Sequence, residues 1–345
     1  MNSIKHNILI LGSFVGGALE HQYVRGFKKL GWDVCCFEMR LPLISLRQRS
    51  TADKIVYRVL PALYLKNLNI KIITTAKEIK PEIILVFKGM EIFPETLFEL
   101  KKHTKLLCNY NPDHPFQFYS RGSGNRFVVE GIRHYDIYFS YSKSICDQLC
   151  RKYDVVAECV PFGFDETVSG SVYSKEDLSD KFVFIGTCDI KRANYFKKLS
   201  DFPVRIFGDS SWNKAKSINK NFYSGYPVYG NDYGNVSFSS RAVLNLLRPH
   251  NIKEQSHNMR TFEVPGYGGL MIANRTAEQL DFFEEDKEAV YYETLEELKD
   301  KLQFYMQHNY AGNAIKKNGY KRAQKSGYSY RERSCTLASI IKKNV

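Results

Sequence analysis

NLLRPHNIKEQSHNMRTFEVPGYGGLMIAN, residues 245–274, decides the fold, because it joins two short apolar runs through a polar segment and a glycine turn. VLNLL (243–247) and LMIAN (270–274) have the length and composition of buried strands. The segment between them predicts a loop and a short helix, and the glycines of GYGG (266–269) allow a tight turn into the second strand. This order of elements is typical of a phosphate-binding unit.

Two charged residues of the short helix indicate what the unit binds. Ser256 and Asn258 favour the N-cap position, so the helix is predicted to begin there with free backbone N–H groups. Arg260 and Glu263 are three residues apart and share a face. A guanidinium there suits a diphosphate, and a carboxylate one turn later suits the hydroxyls of a ribose. The alternative is an ordinary strand–helix–strand unit with an exposed Arg–Glu pair.

The same alternation of strands and helices runs through the whole chain. A length of 345 residues suits two domains, predicted at 1–165 and 178–329, with 163–180 interpreted as a linker. Continuous apolar strands separated by helices predict parallel sheets covered on both faces. The candidate strands are residues 7–13, 33–38, 82–88, 105–110, 136–142 and 157–162, then 181–187, 203–209, 242–247, 269–274 and 288–292.

Composition and cysteine spacing exclude several protein classes. A hydrophobic content of 43% with 14% aromatic residues is typical of a globular protein. The eight cysteines form neither a Cys-x-x-Cys pair nor a Cys/His quartet, so a disulfide framework and a zinc site are both unsupported. The sequence has no apolar run approaching ~18 residues and no small-residue cleavage site near its start. We therefore expect a soluble, cytoplasmic protein.

The net charge of +13 requires an anionic partner or surface, and the excess is concentrated in two segments. In the first, basic residues alternate with leucines, which suits an anionic membrane surface. The alternatives are solvated helix faces and nucleic acid, although no nucleic-acid recognition motif accompanies the charge, so we expect no nucleic-acid partner. The basic residues are Arg40, Arg47, Arg49, Lys54, Arg58, Lys66, Lys71, Lys77 and Lys80, and then Lys316, Lys317, Lys321, Arg322, Lys325, Arg331, Arg333, Lys342 and Lys343.

The string from HNMRTFEV to ELKDKL, residues 257–302, resembles the C-terminal domain of the CgeB-like (spore maturation protein type) glycosyltransferases. These are relatives of the group 1 glycosyltransferases. In that family an Arg-x-Phe-Glu sequence precedes glycines, an apolar strand, an acidic loop and a Glu-Glu-Leu helix, and all stand here in order. The resemblance implies an α/β protein of GT-B fold, with two Rossmann-like domains facing each other across a cleft. It also implies that the terminal helix, about 330–345, packs back on the N-terminal domain.

The resemblance implies transfer of a sugar from a nucleotide-sugar donor held mainly by the C-terminal domain. Arg260, the adjoining helix amides and Arg192 would stabilise the leaving diphosphate, and Glu263 would hold the ribose. Negative charge grows on the leaving diphosphate in the transition state, and fixed positive charge can stabilise it there. The sequence has no Asp-x-Asp pair of metal ligands, so no metal and no cofactor is expected. Group 1 relatives often carry a second glutamate eight positions earlier, where this chain has Gln255. In those relatives that glutamate contacts the transferred sugar, so His257 or Asn258 would contact the sugar here.

Two further loops are candidates for donor contact. FIGTCDIKR (184–192) follows a predicted strand and supplies Gly186, Thr187 and Arg192, which suit a diphosphate or nucleotide. Gly208 of FGDSSW (207–212) ends the next strand and is a second nucleotide contact by resemblance. For the first loop, the alternative is an ordinary turn between strand and helix.

The N-terminal half carries the candidate catalytic bases. Gly16 and Gly17 permit close approach of the backbone to the donor, although their spacing is not that of a dinucleotide-binding motif. Glu20 and His21 follow them, and either suits deprotonation of an acceptor hydroxyl. Asp113 lies in the rigid loop NYNPDHPF (109–116), where the family has an Asp-x-Pro motif. For Glu20 and His21 the alternative is an exposed position on the helix. For Asp113 the alternative is an aspartate with a structural role in the turn.

These observations predict a metal-independent glycosyltransferase of bacterial surface polysaccharide, glycolipid or glycoconjugate synthesis. Its partners would be a nucleotide-sugar donor, a saccharide or lipid-linked acceptor, and the anionic inner face of the cell membrane, on which it would be peripheral. A side-chain base is needed only if transfer inverts the anomeric centre. A nucleotide-sugar epimerase on the same fold and a non-catalytic protein that binds anionic polymer or membrane are the alternatives.

Overall fold

The computed structural model describes residues 6–59, 61–118, 122–171, 175–215, 218 and 220–345. The chain forms two compact units. The first comprises Met1–Pro161 and Tyr330–Val345, and the second comprises Phe162–Ser329. Each unit is built on one parallel sheet.

The first unit has a six-stranded sheet in the order β2-β1-β3-β4-β5-β6. The interior of the sheet is apolar, because NILILG, IILVF and LLCNYN bury nearly every residue. Its elements are β1 (Asn7–Gly12), α1 (Glu20–Lys29), β2 (Asp33–Glu38), α2 (Leu41–Arg49), α3 (Thr51–Val59), α4 (Pro61–Ile79), β3 (Ile83–Phe87), α5 (Pro94–Leu100), β4 (Leu106–Asn111), α6 (Arg126–Gly131), β5 (Ile137–Ser140), α7 (Lys143–Tyr153) and β6 (Val156–Cys159).

The second unit has a five-stranded sheet in the order β11-β10-β9-β7-β8. Phe184, Phe196 and Trp212 pack together in its core, with ring centroids 5.0–6.0 Å apart. Its elements are β7 (Phe182–Ile185), α8 (Ile190–Lys197), β8 (Val204–Phe207), α9 (Gly230–Ser239), β9 (Ala242–Asn245), α10 (Pro249–Lys253), α11 (Arg260–Gly266), β10 (Met271–Asn274), α12 (Ala277–Phe282), β11 (Val290–Tyr292), α13 (Leu295–Gln307) and α14 (Asn309–Lys325).

The last helix, α15 (Tyr330–Lys342), returns to the first unit and packs on α1. The two helices approach closely because Gly26 has no side chain, and a Cβ there would lie 2.1 Å from Ser334 Oγ. Tyr330 also places its ring 5.9 Å from that of Tyr23. The buried face of α15 therefore completes the core of the first unit.

Each predicted strand is present, and its ends differ from the prediction by at most three residues. The stretch 163–180, interpreted as a linker from its polar composition, instead belongs to the second unit. Its backbone is bound there, since the N–H of Asp165 donates to Tyr267 Oη (3.3 Å) and that of Ser171 donates to Asn235 Oδ1 (3.1 Å). In the described part of the chain, no helix combines the length and apolar character needed to cross a membrane.

Candidate functional site

The order of strands in each sheet locates the edge where a ligand would bind. In the second unit the chain moves from β7 outward to β8 and then returns to the other side of β7 at β9. Ligands of open parallel sheets bind outside the carboxyl ends of strands at such a reversal. The loops that leave β7 and β9 contain Gly186 and Arg248, so this edge is the candidate site of the second unit.

Two arginines of this edge flank one phenylalanine ring. The guanidinium carbon of Arg192 lies 5.2 Å from the centroid of Phe184, and that of Arg260 lies 5.9 Å from it. Arg192 is nearly buried and donates to the carbonyl oxygens of Thr187 (3.0 Å) and Leu246 (3.4 Å). It is thereby held in one orientation at the ends of β7 and β9.

Gly186 leaves room for the second guanidinium. A Cβ at this position would lie 2.9 Å from Arg260 Nη2, so any larger residue would displace that group. The Nε of Arg260 is buried and has no hydrogen-bond partner among the described residues. An unpaired buried donor on a charged group is costly unless a ligand supplies the acceptor.

The site carries an excess of positive charge. Burial is the main cause that lowers the pKa of Arg192 to about 10, and the charges of Arg260 and Arg248 contribute to this shift. The carboxylate of Asp189, whose Oδ2 lies 3.8 Å from Arg192 Nε, opposes this effect. Three arginines that repel one another would be stabilised by a bound anion.

A half-buried glutamate stands beside the arginines. Glu263 Oε2 accepts a hydrogen bond of 3.1 Å from the Tyr233 hydroxyl. Burial raises the pKa of Glu263, whereas the charge of Arg260 and the Tyr233 hydrogen bond lower it. Glu263 is therefore a half-buried acidic group beside a cation, as expected for a residue that contacts a ligand.

The helix that carries Arg260 begins later than predicted. α11 starts at Arg260 with Met259 at the N-cap, and neither Ser256 nor Asn258 caps it. Ser256 is buried instead and exchanges hydrogen bonds with Asn251. Asn258 donates to Asn245 Oδ1 (2.8 Å) at the end of β9, and its own Oδ1 is buried without a partner among the described residues. Asn258 thus remains a candidate for ligand contact, but the prediction of its capping role is wrong.

His257, expected to contact the sugar, lies in the core. It is completely buried, its Nδ1 lies 2.6 Å from Glu278 Oε2, and its Nε2 lies 3.4 Å from the donating Phe162 N–H. The rings of Phe262 and Phe282 also pack edge-on against the imidazole. With both nitrogens bound to protein groups, we assign His257 a structural role.

The other predicted donor residues of this unit lie at the same edge. Thr187 is exposed next to Gly186 and contributes its carbonyl oxygen to Arg192. Gly208 ends β8 and has a packing role, because a Cβ there would lie 2.3 Å from Gly186 O and 2.5 Å from Trp212 Nε1. Trp212 Nε1 donates to the same carbonyl oxygen at 2.8 Å. Contact of Thr187 and Gly208 with a nucleotide stays a prediction.

The first unit has a corresponding reversal between β1 and β3. Glu20, the first residue of α1, fills the space left by Gly12, and its Oε1 accepts from the Ser13 N–H (2.9 Å). Burial raises its pKa, while the Ser13 N–H and the charge of Lys88 oppose the rise. A raised pKa makes the Glu20 carboxylate a stronger proton acceptor than an ordinary glutamate.

The remaining candidates of this unit differ in their surroundings. His21 is exposed and its Nε2 lies 3.0 Å from Phe14 O. Gly16 and Gly17 are exposed, with nothing within 4 Å of a Cβ at either, and Gly17 has a φ of +79°. Asp113 Oδ2 pairs with Lys88 Nζ at 2.5 Å. The role of Asp113 as a base stays a prediction.

Sequence reasoning missed two basic residues. Arg248 lies three residues after the end of β9 in LLRPH, and its position just beyond a strand was the available signal. Lys88 follows β3 in the same way and has a φ of +59°, a conformation rare for a residue with a side chain. Its ion pair with Asp113 and its bond to Gly122 O (3.1 Å) hold it there. Such strained residues often occur at functional sites.

Comparison with known proteins places this geometry in context. Residues 191–339 match the family model described as glycosyl transferase-like, and no curated protein matches the chain. The sucrose-phosphate synthase of Thermosynechococcus elongatus has a similar structure, with a TM-score of 0.70 at 10% identity over 98% of this chain and 99% of its own. Anabaena HepE in complex with UDP-glucose has a TM-score of 0.64 at 12% identity, over 97% of this chain and 99% of its own.

A third similar structure is a protein assigned as UDP-N-acetylglucosamine 2-epimerase from Listeria monocytogenes. Its TM-score is 0.59 at 12% identity, over 98% of this chain and 96% of its own. These likenesses show that the chain has the GT-B fold. The prediction of an α/β GT-B protein with two Rossmann-like units is confirmed. Within the described residues no group of three or more His, Cys, Asp or Glu side chains is arranged to hold a metal ion.

Proposed function

We propose that this chain is a glycosyltransferase whose second unit binds a nucleotide-sugar donor at the carboxyl ends of β7 and β9. One observation carries the proposal: Arg192, Arg248 and Arg260 converge at this edge beside the half-buried Glu263, and the Nε of Arg260 has no partner among the described residues. The match of residues 191–339 to the glycosyl transferase-like family supports it. The UDP-glucose complex of HepE indicates the class of donor.

The arginines would act on the leaving group. Transfer of the sugar expels a nucleoside diphosphate, and negative charge grows on the bridging oxygen. Arg260 and Arg192 would stabilise that charge, with each charged hydrogen bond contributing about 1.5–3 kcal/mol. Glu263 would accept hydrogen bonds from the ribose hydroxyls, while Asn258, Thr187 and Gly186 would line the donor.

The first unit would supply the acceptor and the base. Glu20 is our first choice because it is a partly desolvated carboxyl group at the strand reversal, and Asp113 and His21 are the others. A saccharide or lipid-linked acceptor of bacterial surface polysaccharide, glycolipid or glycoconjugate synthesis fits the basic character of this unit. The reaction proposed here needs no metal ion and no cofactor.

Helices α2–α4 would bring the enzyme to its lipid-linked acceptor. Leu41, Ile55, Val59 and Ile70 expose 45%, 58%, 68% and 52% of their surfaces, in a segment with nine basic residues. The side chains of Arg47, Arg49, Lys54 and Arg58 lie outside the described residues. Exposed aliphatic groups among cations are typical of a surface that contacts anionic lipid. We therefore propose peripheral attachment to the inner face of the cell membrane.

Calorimetric titration with UDP, GDP and ADP tests the donor site. Arg260→Ala and Glu263→Ala should each weaken binding of the preferred nucleotide by about 10-fold or more, because each removes a charged hydrogen bond. Arg322→Ala is the control, since this arginine of the same unit is half-exposed and lies 3.7 Å from Glu288. Unchanged affinity in both site variants would refute the assignment.

Product analysis separates the enzymatic alternatives. A glycosyltransferase releases the nucleoside diphosphate only when an acceptor accepts the sugar, apart from slow hydrolysis. A nucleotide-sugar epimerase would convert the donor without any acceptor. A non-catalytic protein would turn over no donor, and its binding to an anionic polymer would fall steeply with salt.

A further inference from the structure

The second unit contains a cavity of about 580 Å³ that the proposed donor site does not use. This volume is within the range of about 300–1,000 Å³ typical of small-molecule sites. Four aromatic side chains line it, those of Phe164, Phe238, Tyr267 and Tyr320. Two lysines, Lys316 and Lys317, also line it.

The cavity lies at the opposite edge of the sheet from the arginines. α11 begins at Arg260, beside the carboxyl end of β7, and ends at Gly266, which lines the cavity. The turn through Gly268 then enters the amino end of β10. In a parallel sheet the amino and carboxyl ends of the strands form opposite edges. A ligand in this cavity therefore would not occupy the donor site.

Lys316 gives the cavity a fixed cationic group. Its Nζ donates to the carbonyl oxygens of Phe238 and, at 3.3 Å, Ser240, at the carboxyl end of α9. The ammonium also lies 5.0 Å from the centroid of the Phe238 ring. An ammonium has three donors, so one remains after these two carbonyls. Lys317, the next residue of α14, is exposed beside the same cavity.

We propose that this cavity binds a small organic anion with a planar aromatic body. The four rings would stack on or meet the edge of the aromatic part, and the two lysines would pair with the acidic group. Glu166 is the acidic residue of the lining, so cations exceed anions there. A neutral apolar ligand would leave the lysines unused, and a cation would be repelled by them.

The ionisation of Lys316 supports an anionic ligand. Burial lowers its pKa to about 8, so an anion beside the ammonium would restore its charged form. The other charged and titratable groups of the lining are Glu166, Lys317, Tyr267 and Tyr320. Binding of an anion should therefore weaken as the pH rises from 7 to 9 and Lys316 loses its proton.

Ligand-observed NMR and calorimetry on the full chain test the proposal with 2-naphthoate and its neutral counterpart 2-naphthamide. We expect 2-naphthoate to bind with a Kd below about 1 mM and 2-naphthamide to bind about 10-fold more weakly, as the loss of one ion pair would require. Between pH 7 and 9 the naphthoate affinity should fall while the amide affinity stays constant. UDP should leave naphthoate binding unchanged.

Three variants locate the binding. Asn313→Trp, at an exposed position of the cavity wall on α14, should fill the space and abolish naphthoate binding. Lys317→Gln should weaken it about 3–10-fold, and Lys321→Gln is the matched control, exposed one turn later on α14 and outside the cavity. Thermal melting confirms that each variant is folded.

Four results would overturn the proposal, and the first three concern naphthoate binding itself. These are no binding of naphthoate by the unmodified chain, equal binding of acid and amide, or full binding by a folded Asn313→Trp variant. Displacement of naphthoate by UDP would also overturn it, because the two sites would then be one. None of these outcomes depends on whether the arginine edge binds a nucleotide, which the Arg260 variant measures separately.

Discussion

Glu263, proposed above to bind the ribose, has a raised pKa and should therefore make stability depend on pH. Desolvation of its half-buried carboxyl group favours the neutral form, and the Tyr233 hydroxyl and the charge of Arg260 compensate only in part, so that its pKa is raised. At a pH above the ordinary value for glutamate the unfolded chain has already lost this proton, and the folded chain retains it longer. The contribution of Glu263 to stability is therefore full at low pH and is lost as the pH rises.

Glu263→Gln should remove this dependence, because the amide cannot ionise. Urea unfolding at pH 5 and pH 8 measures the change. The free energy of unfolding of the variant, relative to that of the unmodified protein, should be higher at pH 8 than at pH 5. Its affinity for UDP should fall about 10-fold, since an amide accepts hydrogen bonds from hydroxyls less strongly than a carboxylate. Glu130→Gln, at an exposed position, should change neither. A variant that is less stable at pH 8 than at pH 5, relative to the parent, would contradict the prediction.

The sequence predicted the residue pair Arg260 and Glu263 because spacing on a helix is a local property. It could not predict the burial of His257, which depends on Glu278 and Phe162 from distant parts of the chain. The same limit applies to Arg248, whose proximity to Arg192 is created by the pairing of β7 with β9. Charge clusters that form between strands leave no contiguous signal in the sequence.

Among the elements, α3 offers the clearest test of the proposed membrane surface. Ile55 and Val59 are four residues apart, share one face, and are 58% and 68% exposed. Replacing both by aspartate should reduce binding to phosphatidylserine-containing vesicles by at least about 10-fold, because it removes two aliphatic contacts and adds repulsion. Co-sedimentation measures the change.

Phe98→Asp is the control for this experiment, because Phe98 on α5 is also 58% exposed and lies outside the basic segment. Equal binding of the unmodified protein to purely zwitterionic vesicles would argue against an electrostatic surface. Binding that survives the double replacement but is lost in Phe98→Asp would place the contact elsewhere.

The strands were predictable and the start of α11 was not, for one physical reason. Buried parallel strands are apolar along their whole length, so the eleven strands stand out from their polar surroundings. The beginning of α11 depends instead on tertiary bonds that use the capping residues for other purposes. Ser256 binds Asn251 and Asn258 binds Asn245, so neither is available to cap the helix.

On the scale of the whole molecule, the return of α15 means that the first unit consists of two separate parts of the chain. Removal of residues 330–345 should expose the surface covered by Tyr330, Leu337 and Ile341, all nearly completely buried. At about 1.5–3 kcal/mol for each side chain, the first unit should lose much of its stability. The affinity of the second unit for UDP should stay within about 3-fold of its original value.

Hydrogen exchange of the amides of β1–β6 and β7–β11 distinguishes the two effects, since exchange should accelerate only in the first set. Gly26→Ala should produce a milder form of the same result in the full chain, because its Cβ would collide with Ser334 Oγ. Gly16→Ala, which meets nothing within 4 Å, should not. Equal acceleration in both sets would show that the units do not unfold independently.

The sequence predicted two α/β units but misplaced their boundary. Residues 163–180 have the polar composition of a linker, and only the structure shows that loops such as that of Gly170 are packed. A Cβ on Gly170 would lie 2.1 Å from Tyr267 O, so this loop is tightly bound to the second unit. Composition reports exposure to water, and it does not report which neighbour a polar loop contacts.

The crowding of Arg192, Arg248 and Arg260 has a practical consequence for work on the purified protein. Inorganic phosphate and sulfate match these guanidinium groups in charge and hydrogen-bonding geometry, and common buffers contain them at millimolar levels. Such ions would compete with the nucleotide and make a good donor look like a poor one. Titrations in HEPES with chloride as the counterion would avoid that competition.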